Sequence, residues 1–221
     1  MARGRLSDVQ VRALTALAAV PGWVLSGGDS LVGFHLMHRG TRDLDLFMRP
    51  DRQLDPLIIR DVEHALVAAG LECTSQVTSP HFHRWQVQFG DERTELDLVA
   101  EPTPAIEPPE IRQLGDTEIL VETAYEVLTN KLCTLIGRTE LRDLIDVRAL
   151  LAAGLPLERA LKDAASKDAG FSPLILAQLI GTMDLDRANR SRALTPDELV
   201  ALKGFARELA DRCVRLATQM P

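Results

Sequence analysis

The alternation Asp43-Leu44-Asp45-Leu46, running on into Phe47-Met48, constrains this chain more than any other feature. A period of two is that of a β-strand, so both carboxylates project from one face and both leucines from the other. The leucines need a covered face, which places the strand in a sheet with an apolar layer on one side. The acids repel one another unless a cation neutralises them. One short run thus sets a demand on the fold and a demand on the chemistry.

The surrounding pattern supplies the sheet. Apolar residues at helical spacing (Val9, Ala13, Leu14, Leu17, Ala18) follow the start signal Ser7-Asp8, and Pro21-Gly22 stops them. Trp23-Val24-Leu25 reads as a buried strand broken by Gly27-Gly28, and a helical pattern resumes over 31–37. With the Asp43 strand next, the order helix, strand, Gly turn, helix, strand predicts a parallel start. A helix over 54–69 ends at Gly70. Strand patterns over 71–78, 82–89 and 93–100 then predict an antiparallel meander, hence a mixed sheet. The segment 101–109 holds four prolines and reads as a crossing loop. Beyond it one short strand is expected at 118–121, and helices at 123–136, 140–153, 156–165, 173–180 and 195–218. The expected division is an α/β region over 1–108 and a helical region over 109–221.

Mg²⁺ is the natural cation for Asp43 and Asp45, since it takes oxygen ligands and is commonly held by one or two carboxylates. Asp97, in the strand pattern Glu95-Leu96-Asp97-Leu98-Val99, offers a third acid. Three acids on one sheet edge would form a two-metal phosphoryl-transfer site. The plainer alternative is a salt bridge from Asp45 to Arg42 or Arg39. Glycines at a strand-to-helix turn let backbone N–H groups approach phosphate oxygens, although Gly27-Gly28 also fits a simple tight turn.

Several other residues are candidates. Only four of the 25 basic residues are lysines, and none precedes Lys131. A compact ammonium suits phosphate contact there, whereas an ordinary amphipathic helix would send it to solvent. Asp143 and Asp146 share a helix face beside Arg142, the usual pattern of a salt-bridged surface. His81 and His83 could share one strand face and ligate Zn²⁺, but no further ligand stands at zinc spacing. His35 is expected to pack, and His38 with Arg39 to orient the metal strand or bind phosphate. Trp23, Phe34, Phe47 and Trp85 read as core. Tyr125 either packs or stacks a base.

Trp23-Val-Leu-Ser-Gly-Gly-Asp-Ser-Leu, followed by His38-Arg-Gly-Thr-Arg-Asp-Leu-Asp-Leu-Phe47, resembles the first motif of the AbiEii/AbiGii-type nucleotidyltransferase toxins. These are a branch of the DNA polymerase β-like nucleotidyltransferases. Lys131-Leu132, Arg138 and Arg142-Asp143-Leu-Ile-Asp146 resemble the family's lysine helix and Arg-Asp helix. The resemblance implies an α+β fold, a minimal nucleotidyltransferase mixed sheet flanked by helices, followed by a C-terminal helical region that completes the cleft. It implies that Ser26, Gly27, Gly28, Ser30 and Arg39 bind the nucleotide, with Lys131 and either Asp143 or Asp146. Asp43, Asp45 and Asp97 would hold Mg²⁺ or Mn²⁺, Asp97 helping to deprotonate the acceptor hydroxyl. The implied reaction moves a nucleotidyl group from an NTP to that hydroxyl, with the 3′ end of tRNA as acceptor and an antitoxin protein as partner. Transfer to a small molecule, as in antibiotic-modifying enzymes, and a degenerate protein-binding domain are the other readings. Asp29 stands where the family usually has a small hydroxyl residue. A carboxylate there would either repel a triphosphate, leaving the hydroxyl role to Ser30, or cap the helix.

Charge bears on the acceptor. With Lys+Arg 25 against Asp+Glu 32, the net charge of −7 argues against a broad nucleic-acid surface. Arg187, Arg190 and Arg192, with Arg39 and Arg42, could still form a local basic rim. Three scattered cysteines without a CxxC pair point to a reducing compartment, and no run has the length of a membrane span, so a cytoplasmic protein is expected.

Overall fold

The computed structural model describes residues 6–36, 39–49, 53–138, 140–190 and 194–218. His38 and Arg192 lie outside these described residues. The chain divides into two compact units, Met1–Val127 and Leu128–Pro221.

The first unit holds strands β1 (Trp23–Ser26), β2 (Asp43–Met48), β3 (Glu72–Thr78), β4 (Phe82–Phe89), β5 (Glu92–Ala100), β6 (Glu110–Leu114) and β7 (Thr117–Val121). They form one mixed sheet in the order β3-β4-β5-β2-β1-β7-β6. The meander is present, since β3, β4 and β5 pair antiparallel. The parallel start is not: β1 and β2 run antiparallel, and the parallel pairs are β2 with β5 and β1 with β7. A parallel pair needs a crossover that returns the chain along the sheet. Here the helix α2 (Gly27–Ser30), continued by a π-helical turn over Leu31–His35, packs against β1 and β2 and reverses the chain instead. β6 is an additional strand. It lies at the sheet edge with Ile111 exposed, so its sequence carries no buried face to reveal it.

One face of the sheet is apolar and covered. Helix α1 (Asp8–Leu17), begun by a Ser7/Gln10 capping box, and helix α3 (Pro56–Ala68) lie on it. Leu25, Leu44, Leu46, Trp85, Leu96 and Leu98 are fully buried there with Leu14, Leu17, Val62 and Leu66. Each such side chain contributes about 2 kcal/mol of burial. Because alternate residues face opposite ways, burying Leu44, Leu46, Leu96 and Leu98 turns Asp43, Asp45 and Asp97 to the other face.

In the second unit, α4 (Ala124–Gly137) enters from the first and is followed by α5 (Leu141–Ala152), α6 (Leu157–Lys167), α7 (Pro173–Thr182), α8 (Leu185–Asn189) and α9 (Pro196–Ala217). The short α8 is one turn capped by Asp184, too brief to show a period in sequence. α7 packs along α9. Among the described residues no helix is long and apolar enough to cross a membrane.

Candidate functional site

Strand register sets the site. Ser26 on β1 is paired with Asp45 on β2, Asp45 with Asp97 on β5, and Asp97 with Arg84 on β4. The four residues form one rung across four adjacent strands. Arg84 grips Asp97 with a two-pronged fork, Nε donating to Oδ1 at 2.7 Å and Nη2 to Oδ2 at 2.6 Å. Its third nitrogen, Nη1, lies 3.1 Å from Glu95, two rungs away on the same face. The hydrogen bond to Asp97 leads in raising the Arg84 pKa further, and the charge of Asp45 adds to it.

The Gly turn meets the same rung. Gly27 has φ +66°, and a Cβ on it would fall 2.3 Å from Asp45 Oδ2. A Cβ on Gly28 would fall 2.3 Å from Arg39 Nη2. Gly27 is thus required by close approach as well as by the turn, whereas at Gly28 it is the mobile tip of Arg39 that fills the space. Asp29 neither caps the helix nor faces outward. It is fully buried, its Oδ2 accepting the Asp45 N–H at 2.7 Å and its Oδ1 the Thr41 hydroxyl. The carboxylate ties the turn to the acidic strand. Burial chiefly raises its pKa well above the ordinary carboxylate range, and Asp45 and Asp43 add to the effect. Thr41 also hydrogen-bonds Asp43 Oδ1 at 3.0 Å.

The two serines of the turn are engaged by the protein. Ser26 donates to Glu122 Oε2, and Ser30 donates to the Gly27 carbonyl at 2.9 Å. Glu122, 2% exposed, also takes Arg49 Nη2 at 2.8 Å on Oε1. Its backbone carbonyl accepts His35 Nε2–H at 2.8 Å. His35 packs as expected, and burial lowers its pKa. Glu122, Arg49, Thr41 and Arg84 were not singled out by the sequence, because Glu122, Arg49 and Arg84 acquire their partners only through sheet register or a distant turn. Thr41 alone had a local signal, two residues before Asp43.

In the second unit Lys131 is buried, with Nζ 2.7 Å from Asp143 Oδ1 and 3.1 Å from Asp146 Oδ2. Arg138 Nε reaches Asp143 Oδ2 at 3.0 Å. Both carboxylates are completely buried. The surface reading of this pair and the solvent reading of Lys131 are therefore corrected. An ammonium bridging two acids one helical turn apart is stable inside when each charge finds a partner.

The histidine pair is not a pair. His83 is buried, hydrogen-bonded to Ser75 and Thr78 and stacked on Trp85, while His81 is exposed ahead of β4. Tyr125 is buried.

Asp43 and Asp45 offer hard oxygen donors on one strand face, beside a glycine with no side chain to intrude, and this fits a magnesium-like cation. Asp97, expected as a third ligand, has both oxygens engaged by Arg84. Among the described residues no group of three or more His, Cys, Asp or Glu side chains is arranged to hold a metal ion.

A mixed sheet with an acidic rung facing a glycine turn is the architecture of the nucleotidyltransferase fold, and solved structures agree. A candidate nucleotidyltransferase of Helicobacter pylori aligns at TM-score 0.55 and 18% identity, over 96% of this chain and 99% of that one. MenT4, a nucleotidyltransferase toxin of Mycobacterium tuberculosis, aligns at TM-score 0.53 and 17% identity, over 96% of this chain and 82% of that one. No curated protein matches the sequence significantly. The family model for the nucleotidyl transferase AbiEii toxin of type IV TA systems matches residues 11–214, and the chain belongs to that family.

Proposed function

We propose that this protein is a Mg²⁺- or Mn²⁺-dependent transferase that moves a nucleotidyl group from an NTP to an acceptor hydroxyl. The observation that carries the reading is the close apposition of Asp45 to Gly27, which brings a carboxylate strand against a turn able to receive phosphates. Asp43 and Asp45 would hold the cation, which when bound supplies positive charge at the phosphates. Gly27 and Gly28, which admit Asp45 and Arg39 against the turn, would offer backbone N–H groups to the phosphates, and Arg39 would meet a phosphate oxygen. Asp29 and Thr41 hold the strand and turn in register, so that little reorganisation is needed on binding. The family's lysine helix enters the proposal through Lys131, with Asp143 and Asp146 orienting its ammonium. The acceptor proposed is the 3′ end of tRNA, and the protein the toxin of a toxin-antitoxin pair acting in the cytoplasm.

Two measurements test this. Millimolar Mg²⁺ or Mn²⁺ should raise the thermal midpoint, and Asp43→Ala with Asp45→Ala should abolish the shift. An unchanged wild-type midpoint would exclude the metal-dependent reading in favour of a protein-binding domain. Incubation with each labelled NTP, total tRNA and a small-molecule panel then identifies the acceptor. Label on tRNA supports the proposal, and label confined to a small molecule replaces it with the antibiotic-modifying type of reaction.

A further inference from the structure

Adjacent strands lie about 4.8 Å apart, so acids paired directly across them repel unless a cation intervenes. Asp45 and Asp97 are such a pair on parallel strands. A two-metal site would leave both for divalent ions, yet the chain supplies a cation of its own from the next strand. Arg84 and Asp97 are cross-strand partners, and the guanidinium meets the carboxylate with both prongs. This is the geometry in which Arg is hardest to replace, because the planar fork satisfies both oxygens at once. The side chain of Asp97 is 8% exposed and that of Arg84 33%, so the pair is largely shielded on the carboxylate side and open on the arginine side. Glu95 holds the third nitrogen of the fork, which fixes the guanidinium across two rungs.

We propose that Arg84 is a resident counter-ion that reserves Asp97, so that without nucleotide the site takes up a single divalent cation, at Asp43 and Asp45. Arg84 is in this sense a positioning residue. It sets the number of ions by occupying a carboxylate, and any second ion has to arrive with the phosphates of the substrate or displace the fork. The inference rests on the metal-dependent reading above, and its test separates the two.

The experiment is a Mn²⁺ titration of the nucleotide-free full chain, followed by the loss of the free-ion electron paramagnetic resonance signal. Wild type should bind one ion per chain and Arg84→Gln two, the second site disappearing when Asp97→Asn is added. Asp97→Asn alone keeps a partner for Arg84, and should leave the dissociation constant of the first ion within about twofold, because that carboxylate is not a ligand. This single variant keeps the inference testable if Arg84→Gln folds poorly. Two ions on wild type, one ion on both wild type and a folded Arg84→Gln, or a more than tenfold weakening by Asp97→Asn would overturn the role of Arg84 and leave metal binding intact. Failure of the wild-type chain to bind Mn²⁺ at all would overturn both readings.

Discussion

In the first unit Asp29, Asp45 and Asp97 are held by a hydroxyl, a backbone N–H, a glycine turn and an arginine fork, whereas in the second Asp143 and Asp146 share the ammonium of Lys131. The second cluster joins two acids to Lys131 and Arg138, and its charges match. The first sets Asp29, Asp43 and Asp45 side by side, and the crowding shows in Asp29, whose carboxyl is raised chiefly by burial and then by Asp45 and Asp43. Matched charges serve as support, because removing one exposes the others. A crowded set of like charges is a standing demand for a ligand, and its members matter more to binding than to folding.

The comparison breaks if the two clusters respond alike to mutation. The largest effect is expected at Lys131→Met, which removes the ammonium shared by two buried carboxylates and should cost about 3–5 kcal/mol in urea unfolding. A loss under about 1 kcal/mol would mean that the second cluster is hydrated and not a support. Gly27→Ala comes next. It combines a left-handed φ with a Cβ in contact with Asp45, and should cost about 2 kcal/mol while removing the metal-dependent rise in thermal midpoint. Asp45→Asn sharpens the contrast: stability should stay within about 1 kcal/mol of wild type, because the carboxylate is only half-buried, while nucleotidyl transfer falls about 100-fold or more.

The smallest effect is in the pH profile. Burial lowers the pKa of His35 and of His83 from the ordinary value of 6.5. Below that value the unfolded chain takes up protons that the folded state resists, so stability is full above pH 6.5 and falls as the pH drops through the folded-state values. Replacing both histidines by glutamine should flatten this limb of a midpoint-against-pH curve. A limb of unchanged slope would assign it to carboxylates instead.

What could be read in the sequence follows the same division. β2 was legible because its period of two puts leucines in a core and acids on the far face, and the same pattern gave β4, β5 and Asp97. The direction of β1 against β2 was not, since an irregular helical segment can reverse a chain as readily as carry it across. Arg84 stood thirteen residues from Asp97 with nothing to connect them until the hairpin register was known. Asp143 and Asp146 were misread for a related reason. Acids one turn apart with arginines nearby look solvated, and only the helix carrying Lys131 puts them inside.

Gly27 has a consequence for the genetics of this chain. Its backbone sits in the left-handed region, and its missing side chain makes room for Asp45, so two independent locks act on one codon. Asparagine, which tolerates the backbone angle better than most residues, still brings a Cβ against the carboxylate. Shrinking Asp45 opens the space but leaves the angle strained and removes an acid of the site. Selection for revertants of a Gly27 substitution should therefore return glycine itself, with no single second-site suppressor at position 45.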